Sequence, residues 1–243
     1  MNDKSVPDDD GRGAVHPWLV WAICTVARSG SSWLSQLVSS TGIMGHPDEY
    51  LLSWRQQATR HGLAGSTSFS DYLTFLLQYR STANGVFAIK GSVEEMQPFF
   101  DYFPNAPCVW LVRENKIQQA VSWHRAHDGG VWTRTATAAE QRPFEFSVER
   151  FLYFYDEIIR REVLWREFFS HCTVRPLVLT YEQVCAAPLA AVQSIAAHIG
   201  LDASTVTHVS SPLQIVRDET NETWIRRAEQ AISKHRPGCG HLN

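Results

Sequence analysis

Arg28, Ser29, Gly30, Ser31 and Ser32 stand between an apolar run, Trp18 to Cys24, and a helix-like pattern that carries Trp33, Leu34, Leu37 and Val38. A cation and four small residues at such a junction can hold an oxyanion. Small side chains let successive backbone N–H groups approach closely, and the unpaired amides and dipole of a first helical turn add partial positive charge. The expected ligand is a phosphate or sulfate ester. An ordinary strand-to-helix turn uses the same residue types, so this loop alone does not define a function. What it lacks narrows the anion: an ATP-type loop needs G-x-x-x-x-G-K-[ST], yet no Lys follows Gly30 and no Gly stands five residues before it. Arg28 instead offers a fixed fork of donors that suits a planar or tetrahedral oxyanion without a metal.

Three further sets of residues could serve the same chemistry. Arg113 ends the apolar stretch Cys108 to Val112, and Ser122 follows about two helical turns into the next segment. An Arg at a strand end with a helix hydroxyl can grip a second phosphate; a surface salt bridge and a solvent-facing Ser are the plain alternative. Lys90 closes Gly85 to Ile89 and would face the same rim as Arg28 and Arg113 in a parallel sheet. Three cations at successive strand ends concentrate positive potential for a polyanion, although a lone strand-end Lys is usually solvated. The loop Gly45 to Tyr50 holds the general-base candidates nearest the first anion loop, Glu49 and His46. Glu49 could equally be a helix N-terminal charge that favours the dipole and takes no part in catalysis.

The elements that must position these residues alternate. The pattern predicts a strand over 18–25, a helix over 31–41, helical stretches over 49–60 and 69–80, and a strand from Val86 to Ile89. A helix around 93–102, a strand Cys108–Val112, a helix over 115–126 and a Gly-rich loop from Asp128 to about Thr137 come next. A long helix over 147–169, a strand from Val174 to Thr180 and a helix over 188–199 complete the series. Strands separated by helices imply crossover connections and an α/β fold: a P-loop-like parallel sheet flanked by helices on both faces, with ligands at the strands' carboxyl ends. The 243 residues suit a single domain, 17–243, preceded by a polar, flexible leader, 1–16.

Composition excludes several classes. Apolar residues make up 44% and the net charge is −3, which fits neither a disordered chain nor a generic nucleic-acid binder. No apolar run approaches the ~20 residues of a membrane span, and the acidic start is unlike a secretory signal, so a cytoplasmic location is expected. Five cysteines, none at C-x-x-C spacing, argue against a disulfide framework or structural zinc. Cys24 and Cys108, inside expected strands, read as buried hydrophobes. Phe151, Phe154, Tyr155, Ile158, Trp165, Phe168 and Phe169 form a helical stripe, expected to be core. His124, His127 and Asp128 make a weak metal motif, for want of a further firm ligand.

Several of these motifs stand in the order found in a known family. Ala27 to Leu34, Thr41-Gly42 followed by Gly45 to Tyr50, and Trp110 to Arg113 continuing through Gln119 to Ala126 resemble the bacterial trehalose sulfotransferases. Val131-Trp132, Tyr181-Glu182 and Glu222 to Ile225 extend the likeness, which runs from about residue 18 to Trp224. The resemblance implies a sulfotransferase using 3′-phosphoadenosine 5′-phosphosulfate (PAPS) without a metal, acting on a hydroxyl of a small molecule or glycan, and a homodimer. It further implies that Arg28, Ser29, Gly30, Ser31, Ser32 and Trp33 form the 5′-phosphosulfate loop, Arg113 and Ser122 the 3′-phosphate grip, and Glu49 the base. Lys90 is similar in placement to the strand-end Lys that touches the transferring group in the wider cytosolic sulfotransferases. A catalytic His often follows two residues later there, whereas Ser92 stands here, which favours Glu49 as base. Ser32 replaces a more usual Thr and keeps the hydroxyl. Trehalose as the acceptor does not carry over, because substrate pockets diverge. A P-loop kinase of a small metabolite using ATP is the competing reading, and a non-catalytic binding module of the same fold a third.

Overall fold

A computed structural model describes residues 17–63, 68–130, 145–173, 175–212 and 219–235 of the chain. Four strands, β1 (Leu19–Thr25), β2 (Val86–Gly91), β3 (Cys108–Val112) and β4 (Leu177–Thr180), form one sheet in the order β2-β1-β3-β4. All neighbouring pairs are parallel, with Ala22 opposite both Ile89 and Cys108, and Val112 opposite Thr180. The parallel arrangement puts every strand's carboxyl end on one rim.

Side chains alternate across β1, so Trp21 and Ile23 join one core while Ala22 and Cys24 join another. Helices α1 (Ser31–Ser39) and α8 (Pro188–His198) cover the first, through Leu34, Leu37, Val192 and Ile195. The second core lies under α2 (Trp54–Arg60), α3 (Phe69–Tyr79), α4 (Val93–Tyr102), α5 (Lys116–Gly129), α6 (Val148–His171) and α9 (Glu219–His235). Its α6 contribution is the expected stripe: Phe151, Phe154, Ile158 and Trp165 are buried, with Phe168 and Phe169 packed against them. Apolar burial on both faces explains why β1 and β2 read as near-continuous apolar runs. The result is a single α/β domain with helices on both sides of a parallel sheet. Cys24 and Cys108 are buried free thiols within it.

Three boundaries differ from the sequence reading, and two helices are additional to it. The segment 50–53 is turn rather than helix, because Ser53 takes a left-handed φ of 52° and the Gln57 amide bonds back to the Glu49 and Leu52 carbonyls. Glu49 therefore precedes α2 by five residues and is not a first-turn charge. Helix α5 runs on through Asp128 to Gly129 and stops where Gly130 turns left-handed at φ 72°. Strand β4 begins at Leu177, and α7 (Tyr181–Ala186), absent from the sequence reading, follows it at once. A six-residue helix is too short to show periodicity, but its Thr180–Gln183 capping box was present in the sequence. The C-terminal helix α9 was likewise not anticipated; Trp224, Ala228 and Ala231 bury its apolar stripe. The expected leader over 1–16, the Val131-Trp132 motif and most of the loop after Gly130 lie outside the described residues.

Candidate active site

The first loop leaves β1 at Thr25, and backbone geometry explains its glycine. Arg28 and Gly30 both take left-handed conformations, at φ 64° and 90°, so the chain reverses and enters α1 with Gly30 as N-cap. Gly30 brings no side-chain cap; Trp33 and Leu34 donate to its carbonyl, which leaves the Ser31 and Ser32 amides at the open start of the helix. An ideal Cβ at Gly30 would lie 2.3 Å from Cδ2 of Tyr181, so the aromatic ring closes over the glycine. Other elements hold the loop from behind: Trp165 Nε1 donates to the Thr25 carbonyl at 3.0 Å, and Gln119 Nε2 donates to the Ala27 carbonyl at 2.9 Å. The Thr25 and Ser29 hydroxyls are bonded to each other.

On β2, Lys90 is 4% exposed, and its Nζ donates to Ser32 Oγ at 3.1 Å while lying 3.4 Å from Glu49 Oε1. The Glu49 side chain is 45% exposed, so this carboxylate faces both the buried ammonium and solvent. Its loop is stitched to the sheet edge. Trp21 Nε1 donates to the Met44 carbonyl, the Lys90 amide donates to the Asp48 carbonyl at 3.1 Å, and the Tyr50 hydroxyl donates to the His46 carbonyl. Gly45, at φ 83°, passes so close to the neighbouring strand that a Cβ would sit 2.7 Å from the Ala88 nitrogen. His46 is exposed beside it.

Beyond β3, Arg113 Nη2 donates to Gln118 Oε1 at 3.0 Å, and Nη1 reaches the Arg28 carbonyl at 3.4 Å. Its guanidinium lies 4.8 Å from the Tyr181 ring centroid, and that ring meets Trp33 edge-on. From the first loop, Arg28 Nε donates to Ser122 Oγ on α5 at 3.0 Å. The two anion-type loops are thus joined directly through Arg28. Burial pushes the Arg28 pKa down, the like charge of Arg113 pushes it further, and Glu49 partly offsets them. Two guanidinium groups held together at a half-buried rim concentrate positive potential that favours an anion.

The structure therefore gathers Arg28, Ser29, Gly30, Ser31, Ser32, Trp33, Glu49, Lys90, Arg113 and Ser122 along one rim. Tyr181, Gln119, Gln118 and Trp165 join them without having been singled out for the site. Tyr181 had entered only with the motif Tyr181-Glu182, and Trp165 only as core. His124, His127 and Asp128 stand apart from this rim, clustered on Arg150. Arg150 Nη2 donates to Asp128 Oδ1 at 2.9 Å, while His124 and His127 take the same carboxylate at 3.1 and 2.7 Å. Among the described residues no group of three His, Cys, Asp or Glu could hold a metal ion.

A parallel sheet with a glycine loop entering a helix beneath a cationic rim is a P-loop-like α/β fold. The chain belongs to the Stf0 sulphotransferase family, whose model matches residues 54–231, and it is a sulfotransferase. The matched segment contains Lys90, Arg113 and Ser122, whereas the Arg28 loop and Glu49 precede it. No curated protein matches the chain. Among solved structures, it is similar to a sulfotransferase from Alicyclobacillus acidocaldarius, at 14% identity over 88% of this chain and 92% of that one, with a TM-score of 0.51. It is also similar to the mouse sulfotransferase SULT7A1 complexed with PAP, at 14% identity over 86% of this chain and 63% of that one, with a TM-score of 0.47.

Proposed function

We propose that this sulfotransferase uses PAPS to sulfate a hydroxyl of a sugar, glycolipid or glycosylated metabolite, with Glu49 as general base. The observation that carries the reading is the placing of Lys90 Nζ between Ser32 Oγ and Glu49 Oε1, on the rim where the half-buried Arg28 and Arg113 meet. The residues present fit the donor. Arg28 and Arg113 are half-buried cations that meet at this rim, and α1 begins there at Gly30.

PAPS supplies an activated sulfuryl group whose leaving oxygen belongs to a 5′-phosphate. The amides of Gly30 to Ser32, with Arg28 and Lys90, hold the sulfuryl and 5′-phosphate oxygens and offset the charge that grows as the sulfur–oxygen bond breaks. Arg113 and Ser122 hold the 3′-phosphate, and Arg28 spans the two groups. Glu49 accepts the acceptor's hydroxyl proton while the new oxygen–sulfur bond forms opposite the leaving oxygen. The logic is that of in-line phosphoryl transfer, where positioning and charge stabilisation dominate. The likeness of motifs to trehalose sulfotransferases supports a carbohydrate acceptor, and with it a cytoplasmic homodimer. No helix among the described residues is long and apolar enough to cross a membrane.

A thermal-shift comparison tests the donor. 3′-Phosphoadenosine 5′-phosphate (PAP) should stabilise the protein strongly, and ATP with magnesium weakly. Stabilisation by magnesium-ATP with none from PAP would return the competing kinase reading.

A further inference from the structure

Resting on the assignment of Arg113 to the 3′-phosphate, we infer that Glu182 is a positioning residue for that phosphate, acting through the backbone at the end of β3. Its carboxylate accepts the Glu114 amide at 3.0 Å on Oε2 and the Asn115 amide at 3.4 Å on Oε1. These contacts cross between distant parts of the chain, from the first turn of α7 to the turn that joins β3 to α5. The carbonyl side of the same peptide is held as well. Lys116 Nζ donates to the Arg113 carbonyl and is paired with the buried Glu162 on α6. One peptide plane, Arg113–Glu114, is thus gripped at its oxygen by an ammonium and at its nitrogen by a carboxylate.

With β3 holding the preceding peptide, that grip fixes the backbone on both sides of the Arg113 Cα and so the direction in which the side chain leaves the strand end. Charge-assisted hydrogen bonds are the stronger kind, so the plane has little freedom to rotate. The neighbouring residue acts on the other end of the same side chain, since Tyr181 places its ring 4.8 Å from the guanidinium. Glu182 touches no group assigned to sulfuryl transfer. A carboxylate at the start of a helix would also be expected merely to favour two helix dipoles, here those of α5 and α7, and that role changes stability alone.

Calorimetric titration of Glu182→Ala and the near-isosteric Glu182→Gln with two nucleotides separates these roles. PAP carries the 3′-phosphate and adenosine 5′-phosphate does not. We expect Glu182→Ala to bind PAP about tenfold more weakly, with adenosine 5′-phosphate affinity held within about twofold, and Glu182→Gln to recover part of the loss through its remaining acceptor oxygen. In turnover assays KM for PAPS should rise while kcat at saturation stays near the parent value. Equal weakening toward both nucleotides, or unchanged affinities with a lowered melting temperature, would overturn the inference. A parent protein that does not distinguish the two nucleotides would instead remove the Arg113 assignment on which it rests.

Discussion

Replacing Gly30 by Ala should injure both stability and nucleotide binding, and the structure separates two causes. The first is backbone: at φ 90°, an L-residue with a Cβ enters the left-handed region at a cost of about 1–2 kcal/mol. The second is the ring of Tyr181, whose Cδ2 and Cε2 would lie 2.3 and 2.8 Å from the new methyl. That ring is not a loose tip, because Trp33 meets it on one side and the Arg113 guanidinium on another. Forcing it away is overpacking, about 1–3 kcal/mol. The sum, about 2–5 kcal/mol, corresponds to a fall in melting temperature of roughly 4–20 °C for a domain of this size. Circular-dichroism melts of Gly30→Ala, Tyr181→Ala and the double variant resolve the parts. With the ring gone, Gly30→Ala should cost only the backbone part. A cost equal in both backgrounds would refute the claim that the Tyr181 ring restricts this position.

Other perturbations follow from the same site. Glu49→Gln should lower kcat by about 10²–10⁴-fold while PAP affinity, measured by titration, stays close to the parent value; unchanged turnover would remove Glu49 from the mechanism. Arg113→Ala should weaken PAP binding by at least about tenfold, because a charge-assisted contact is lost and Tyr181 loses its cation partner; affinity equal to the parent's would mean the second phosphate lies elsewhere. The Arg150 guanidinium, first among several causes, holds the Asp128 carboxyl at about 2, below its ordinary 3.8. A depressed carboxylate pKa gives stability that is present above pH 3.8 and lost as pH falls through about 2, so Arg150→Gln should flatten the acid limb of stability. Urea denaturation of parent and variant at pH 5 and pH 2.5 measures this, and an acid limb of unchanged steepness would contradict it.

Much of the site could be read from local pattern, because in a parallel sheet a residue that ends an apolar run must emerge on the ligand-bearing rim. Lys90 and Arg113 were legible for that reason, and the Arg28 to Ser32 loop because a cation and small residues between a strand and a helix can cradle an anion, although an ordinary turn uses the same residue types. Glu49 was ambiguous. Its spacing allowed a helix start or a return over the loop, and tertiary contacts at Ser53, Gln57 and Lys90 chose the second. The contacts that hold the site together left no such trace. Trp165 reaches Thr25 across 140 residues and Gln119 reaches Ala27 across 92. Periodicity tells which face of a helix is buried and not which carbonyl that face will meet.

The sequence by itself determined that strands and helices alternate, that cations close successive strands, and that the first loop cannot hold magnesium-ATP in the usual way. Those properties depend on residue type and short spacing, which survive without three-dimensional information. Only the tertiary structure decided that the strands lie in the order β2-β1-β3-β4, which brings Lys90, Arg28 and Arg113 to adjacent positions, and that Tyr181 and Glu182 lock against two loops at once. Strand order and long-range contacts are set by how whole layers pack, a sum over many weak interactions that no single stretch of residues encodes.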